Sequence, residues 1–216
     1  MKKYVFFNED PNHFVFERMR AGKYDITADD INSFIDGYKE TDITDFLICL
    51  NASMCWYPSR HTDNAIDKYR KWLSSGKITD ERENTVTWGA KMNSDLYAAG
   101  LDYRAMWIDR LREIGIRPWI SIRMNDIHGS AKKGDFLNSA LVEEHPEYRR
   151  TPYREPVSNY DHALDYMRED VRNYYLAVIE ESLARYDADG IELDFMREAY
   201  CLCVGREYEG IAVMTE

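Results

Sequence analysis

Residues 171–195, VRNYYLAVIEESLARYDADGIELDF, decide the fold because they join a helix to a strand through a short polar turn. From Val171 to Leu183 the apolar residues recur at spacings of three and four, which is typical of a helix with one buried face. Residues 190–195 then alternate apolar with acidic side chains, which is the pattern of a strand. A helix followed directly by a strand indicates an α/β chain.

The same order of elements recurs earlier in the chain. Residues 4–7, 46–50 and 118–123 are short apolar runs that predict three further strands, and helical spacing predicts helices over 27–38 and 103–114. Strand followed by helix, four times over, predicts a parallel sheet. Residues 207–216 predict the start of one more helix. Residues 52–100 are too long for an ordinary connection between a strand and a helix, which indicates an excursion with a functional role.

Two architectures fit a parallel sheet, an open doubly wound sheet and a closed (β/α)8 barrel. The first strand is followed by Asn8-Glu9-Asp10-Pro11 and not by the glycine-rich phosphate loop of a dinucleotide-binding fold. A barrel needs eight strands in roughly 250 residues or more. We therefore expect residues 1–216 to be a single domain, the N-terminal part of a TIM-barrel catalytic domain, with about four β/α units and long βα loops.

The composition excludes several classes of function. Lys and Arg total 28 against 39 Asp and Glu, a net charge of −11, which disfavours binding to the phosphate backbone of nucleic acid. No apolar run approaches the roughly 20 residues that span a membrane, and the N-terminal residues become polar too soon for a signal peptide. We expect a cytoplasmic protein that binds neither nucleic acid nor membrane.

The four cysteines are Cys49, Cys55, Cys201 and Cys203. We interpret them as reduced thiols, because no C-x-x-C motif and no histidine at zinc-finger spacing accompanies them. A metal or redox pair at Cys201 and Cys203 is the alternative. Similarly, residues 187–190 suit a turn better than part of a calcium loop, whose other acidic positions are missing.

Candidate catalytic residues lie at the carboxyl ends of the predicted strands, where parallel α/β folds place their ligands. Strand alternation turns Glu192 and Asp194 toward the barrel axis, with Arg123 of the third strand on the same side, within reach of both. An arginine beside a carboxylate keeps it ionised. An ionised carboxylate is suited to act as the nucleophile that attacks an anomeric carbon. A buried structural ion pair is the alternative.

Further polar or aromatic residues near the strand ends are candidates for binding substrate. Asn125 and His128 are expected to hydrogen-bond sugar hydroxyls, or else to cap a loop. Trp56 is a candidate for stacking on a sugar ring, although core packing is the commoner fate of an aromatic side chain. The set of predicted substrate-binding residues is Asn8, His13, Asn51, Trp56, Arg123, Asn125, His128 and Arg197.

Three motifs resemble those of a known family. Residues 185–197, RYDADGIELDFMR, resemble the rYdvDGihlDyvR signature of bacterial glycoside-hydrolase-like (β/α)8 barrels. His145-Pro146-Glu147 resembles the hPEw element of that group, and residues 163–172 resemble its lD...peVR lead-in to a helix. The resemblance covers residues 103–200 well and the first hundred residues loosely. It implies a hydrolase in which Asp194 is the nucleophile or charge stabiliser and the acid/base lies on a later strand, beyond Glu216 or on another chain.

The sequence thus predicts a glycoside hydrolase that acts on carbohydrate, with Asp194 and Glu192 as catalytic residues and no cofactor or metal. The first alternative is a non-catalytic carbohydrate-binding or self-assembling half-barrel module. The second is a metal-assisted hydrolase with ligands among His13, Asp126, His128 and Asp194. The exposed sheet edges of a half-barrel also favour a homo-oligomer.

Overall fold

The computed structural model describes residues 3–81, 84–195 and 201–202. The strands are β1 (Phe6–Glu9), β2 (Asp45–Cys49), β3 (Arg117–Arg123) and β4 (Gly190–Asp194). The helices are α1 (Pro11–Arg20), α2 (Ala28–Asp36), α3 (Ala65–Ser74), α4 (Thr85–Ala98), α5 (Tyr103–Glu113), α6 (Ala140–Glu144) and α7 (Glu169–Arg185). Short 3-10 turns occupy Pro146–Tyr148 and Asn159–His162. No helix among these residues is long and apolar enough to cross a membrane.

The strands form one parallel sheet in the order β1-β2-β3-β4, which confirms the predicted α/β class with a parallel sheet. The order follows the chain and shows no reversal among the four strands described. A doubly wound sheet has such a reversal, and its ligand binds there. The four described strands therefore lack the reversal of strand order at which a doubly wound sheet binds its ligand.

The sheet curves strongly toward one face. Asn8 on β1 donates a hydrogen bond from Nδ2 to Oε2 of Glu192 on β4, at 2.7 Å. Three strand spacings of about 4.8 Å would separate these strands by about 14 Å in a flat sheet, which is farther than the two side chains reach. The hydrogen bond requires β1 and β4 to bend toward each other.

The convex face of the sheet is apolar and is covered by helices over β2 and β3, whereas Leu193 of β4 is 46% exposed. Phe46, Ile48, Ile120 and Ile122 are fully buried there and belong to the main hydrophobic core, in which Trp107 of α5 is also fully buried. This confirms the predicted orientation of the two β3 isoleucines. The concave face carries the polar side chains, which leaves it available for chemistry.

The N-terminal end of the concave face is filled. The indole of Trp119 lies over Gly190, where an added Cβ would come within 2.4 Å of the ring, so only glycine fits. The indole nitrogen donates to Asp45 at 2.9 Å, and Phe6 packs edge-on against the same ring. The accessible polar groups of this face therefore lie toward the carboxyl ends of the strands.

The first hundred residues hold more helix than the sequence predicted. The polar stretch after β1 begins α1, because the Asp10 carboxylate caps the helix and Pro11 suits its first turn. The excursion over residues 52–100 contains α3 and α4, and Gly89 of α4 lies so close to Phe16 that a Cβ would come within 2.6 Å of the ring. Helix–helix packing there depends on contacts between distant residues, which local periodicity does not show.

Other predictions hold with small shifts of boundary. The Thr27 capping box starts α2, and α5 ends before Gly115, whose φ is +84°. The first strand is displaced two residues toward the C terminus, to Phe6–Glu9. The helix predicted over residues 207–216 lies outside the described residues.

Candidate functional site

A buried arginine joins the ends of β1 and β3. Nη2 of Arg123 lies 3.0 Å from Oδ2 of Asp10, and Nη1 lies 3.5 Å from Oδ2 of Asp126. The Arg123 side chain is 8% exposed, so these contacts form away from bulk water. Asp10 also accepts a hydrogen bond from the main-chain nitrogen of Asn12 through Oδ1, which ties the ion pair to the start of α1.

Asp126 also orients His128. Its Oδ1 accepts from the main-chain nitrogen of His128 and lies 2.9 Å from Nδ1 of the imidazole. Burial by itself raises the pKa of Asp126, but the hydrogen bonds from His128 and the charge of Arg123 outweigh burial and lower it. The imidazole side chain is 52% exposed. A histidine held by a buried carboxylate in this way has a fixed orientation, as general acid/base catalysis requires.

A second histidine–carboxylate pair lies at the end of β1. Nδ1 of His13 is 3.0 Å from Oε1 of Glu9, and the imidazole is largely exposed. Burial raises the pKa of Glu9, although the hydrogen bond and charge of His13 partly oppose the rise. His13 and His128 therefore lie at the same edge of the sheet, after β1 and β3. The ion pairs of Arg123 connect these two strand ends.

Glu192 is held by hydroxyl and amide donors. Its Oε2 accepts from Oγ of Ser121 at 2.6 Å and from Nδ2 of Asn8 at 2.7 Å. The prediction that Arg123 pairs with the carboxylates of strand four is therefore wrong for Glu192. The guanidinium pairs instead with Asp10 and Asp126, which follow the ends of β1 and β3.

Asp194 is the last residue of β4 and is partly exposed. In the register of the sheet it aligns with Arg123, and its main-chain oxygen accepts from the main-chain nitrogen of Met124 at 2.9 Å. Strand alternation places it on the same face as Glu192. The structure thus brings a partly exposed carboxylate to the edge that also carries Arg123 and His128.

Two predicted binding residues use their amide groups to hold main chain. Asn51 exchanges two hydrogen bonds of 2.9 Å with the main chain of Arg123. Asn125 exchanges two with the main chain of Leu164, at 3.1 and 2.9 Å. Both side chains position the loops after β2 and β3.

Trp56 is not brought to this edge. Trp56 is 4% exposed and lies in a second hydrophobic cluster with Met54 and Tyr69. Arg197 lies outside the described residues. The sequence interpretation also gave too little weight to Asp10, Asp126 and Ser121. Two features of the sequence pointed to the aspartates: Asp10 precedes Pro11 at the start of a helix, and Asp126 lies two residues before His128.

Cys49 lies beside the ion pairs of Arg123, whose charge acts on its thiol, and Sγ of Cys49 donates to the main-chain oxygen of Asn51 at 3.2 Å. Cys49 and Cys55 are buried free thiols, and burial raises the pKa of Cys49 to about 12 and that of Cys55 to about 11. Burial also raises the pKa of Cys201. Cys203 is outside the described residues. Within residues 3–81, 84–195 and 201–202, no group of three or more His, Cys, Asp or Glu side chains is placed to hold a metal ion.

Comparison with known proteins gives no family assignment. No protein-family model matches the chain, and no curated protein is similar to it at a significant level. The functional argument therefore rests on the site itself.

Proposed function

We propose that this chain forms part of a (β/α)8-barrel glycoside hydrolase, with Asp194 as the nucleophile or charge stabiliser. The observation that carries the proposal is the position of Asp194. It is a partly exposed carboxylate at the carboxyl end of a curved parallel sheet, in register with Arg123. In barrel enzymes catalytic groups occupy this end of the strands.

The surrounding groups suit a reaction that develops positive charge. Asp194, Glu192, Asp10 and Asp126 give this edge an excess of carboxylates over the guanidinium of Arg123. The transition state of glycoside cleavage resembles an oxocarbenium ion, which negative charge stabilises. In the nucleophilic form of the mechanism, a carboxylate oxygen of Asp194 bonds to the anomeric carbon as the bond to the leaving-group oxygen breaks.

The remaining residues take supporting roles in this proposal. Ser121 and Asn8 hold Glu192 so that its charge faces the site, and His128 is oriented by Asp126 to contact substrate hydroxyls. Water hydrolyses the glycosyl–enzyme ester in a second step, which restores the Asp194 carboxylate. The strand order and the curvature support the barrel, because a barrel sheet bends in one direction and keeps the order of the chain.

The test is covalent labelling by fluorosugar inactivators with an activated leaving group, dinitrophenolate or fluoride, in both anomeric configurations. The fluorine slows both steps, while the activated leaving group departs without a proton donor, so a glycosyl–enzyme accumulates. Labelling therefore tests the nucleophile alone. We expect the intact mass to rise by one glycosyl unit, located by peptide mapping at Asp194.

The decisive comparison is between two aspartates of the same segment. Asp194→Asn should abolish labelling while circular dichroism stays unchanged. Asp189→Asn should retain it, because Asp189 pairs with Arg112 before the start of β4. Absence of any adduct across the inactivators, or an adduct that survives Asp194→Asn, would contradict the proposal.

The free edges of the sheet extend the proposal to assembly. Among the described strands, β1 and β4 each have a strand partner on one side only. Such edges invite pairing with another chain. We include in the proposal that these edges support association of two copies.

A further inference from the structure

A groove lies along one face of α4. It consists of two adjoining cavities of about 330 and 190 Å³, which share Tyr24, Met92 and Asp95 in their walls. Tyr24 comes from the segment between α1 and α2, and residues 79–81, which follow α3, complete the wall of the larger cavity. The residues that line the groove do not belong to the predicted catalytic or binding set.

The α4 side of the groove follows the helical repeat. Trp88, Lys91, Met92, Asp95 and Leu96 occupy positions i, i+3, i+4, i+7 and i+8, which lie on one face of a helix. At a rise of 1.5 Å per residue, this face extends about 12 Å from the first of these residues to the last. The groove therefore has the length of a short extended chain molecule.

The walls of the groove carry an excess of negative charge. Among the described residues of the lining, Asp80, Glu81 and Asp95 in the larger cavity stand against the ammonium group of Lys91. Asp25 adds a further carboxylate in the smaller cavity. The chain as a whole has a net charge of −11, which also attracts cations. The groove is thus complementary in charge to a ligand that carries more than one positive charge.

The carboxylates are spread along the groove. Within residues 3–81, 84–195 and 201–202, no group of three or more His, Cys, Asp or Glu side chains is placed to hold a metal ion. Glu81 accepts a hydrogen bond from the hydroxyl of Tyr69 on α3, Asp95 lies on α4, and Asp25 lies between α1 and α2. Carboxylates on separate elements match positive charges that are themselves separated along a ligand.

Two aromatic side chains lie among the carboxylates. The rings of Tyr24 and Trp88 pack edge to face with their centroids 5.5 Å apart, and Tyr24 remains 50% exposed. Nζ of Lys91 lies 5.7 Å from the centre of the Trp88 ring and donates to Oδ2 of Asp95 at 2.6 Å. An ammonium group is therefore already held here between a ring and a carboxylate. Aromatic rings attract organic cations, and Tyr24 offers a second ring for this contact.

Apolar side chains separate the charged groups. Ile26, Met92, Leu96 and Ala99 line the smaller cavity. Ligand sites combine such apolar surface with a few placed polar groups. Methylene groups gain free energy by packing on this surface, whereas a hydrated inorganic cation does not. A linear polyamine matches the combination, because short runs of methylene groups separate its ammonium groups.

We infer that the groove along α4 is a binding site for a linear polyamine. Asp80, Glu81 and Asp95 pair with ammonium groups in the larger cavity, and Asp25 pairs with a terminal ammonium group in the smaller one. Tyr24 packs on the ligand where the two cavities meet. The inference is independent of the proposed hydrolase, because it uses none of the residues at the carboxyl ends of the strands.

The test is calorimetric titration of the full chain, at constant ionic strength, with spermidine, hexylamine, MgCl₂ and trilysine. We expect spermidine to bind about tenfold more tightly than hexylamine or Mg²⁺, because only spermidine joins several charges through an apolar chain. Spermidine should also raise the midpoint of thermal unfolding as its concentration rises.

Two substitutions in the groove have matched controls. Asp80→Asn should weaken spermidine binding about fivefold. Asp42→Asn makes the same change of charge at an exposed residue between α2 and β2 and should leave the binding unchanged. Tyr24→Leu should weaken binding about fivefold and Tyr24→Phe should retain it, because the contact needs the ring and not the hydroxyl. Circular dichroism of each variant should match that of the unmodified chain.

Several outcomes would overturn the inference. One is spermidine binding that is no tighter than binding of hexylamine or Mg²⁺. Another is an equal loss in Asp80→Asn and Asp42→Asn, which would indicate attraction to the whole acidic surface. Full binding by Tyr24→Leu would exclude the aromatic contact on which the site depends. Tighter binding of trilysine than of spermidine would overturn the assignment to a free polyamine in favour of a basic peptide.

Discussion

At the end of β3, Arg123 connects Asp10, Asp126 and, through Asp126, His128. Removing one partner of such a buried group leaves the others with unmatched charge, which costs more than an exposed contact does. The same contacts that organise the candidate site therefore also support the fold. Stability and site geometry are coupled at this residue scale.

We predict that Asp126→Asn destabilises the protein by about 2 kcal/mol at neutral pH, as expected for lost hydrogen bonds to a buried charged group. The folded pKa of Asp126 lies below its ordinary value of 3.8. Its contribution is therefore fully present above that ordinary value and disappears as the pH falls through the folded pKa. Urea unfolding of both proteins at a series of pH values measures the difference.

The control for this prediction is Asp95→Asn. Asp95 is 62% exposed and pairs with Lys91 on the surface of α4, where an ion pair contributes at most about 1 kcal/mol. A destabilisation by Asp126→Asn that stays constant into strong acid would contradict the assigned charge state.

At the scale of elements, each early helix begins at a polar side chain that the sequence shows plainly. Asp10 caps α1, Thr27 caps α2 and Asn64 caps α3, each accepting a main-chain hydrogen bond. Caps of this kind determine where a helix starts, and packing determines whether it persists. The missed α1 illustrates the difference, since its cap was visible and its buried Phe14 became evident only in the core.

We predict that Thr27→Ala destabilises the protein by about 1 kcal/mol, the usual cost of losing an N-cap. Thr27 and Asp30 form a reciprocal capping box, so the substitution removes the side-chain acceptor for the Asp30 main-chain nitrogen. Guanidinium denaturation measures the change. Thr85→Ala, at the exposed first residue of α4, should change stability by less than about 0.5 kcal/mol, and an equal loss at both positions would argue against the capping role.

At the scale of the whole molecule, the main features are the curvature of the sheet and the free edges of β1 and β4. The hydrogen bond between Asn8 and Glu192 requires a curved sheet, and β1 leaves Phe6 55% exposed at the N-terminal end of the concave face. An exposed apolar residue on an edge strand favours pairing with another chain. We therefore place the proposed association of two copies at these edges.

We predict concentration-dependent dimerisation of the full chain in sedimentation velocity. Phe6→Lys should shift the protein toward the monomer, because a lysine on an edge strand opposes pairing. Met167→Lys, at an apolar residue that is 66% exposed outside the strands, should sediment like the unmodified chain. A single monomeric species at all concentrations would show that the edges do not associate.

The sequence by itself determined the α/β class, the parallel order of elements, the faces of β3 and the inner side of Glu192, because these follow from periodicity along the chain. It also placed Asp194 at the end of a strand. Only the tertiary structure decided that Arg123 pairs with Asp10 and Asp126, that Ser121 and Asn8 hold Glu192, and that Trp56 is buried. These contacts join residues that lie on different strands and loops. They depend on strand register, sheet curvature and side-chain reach, which no local pattern records.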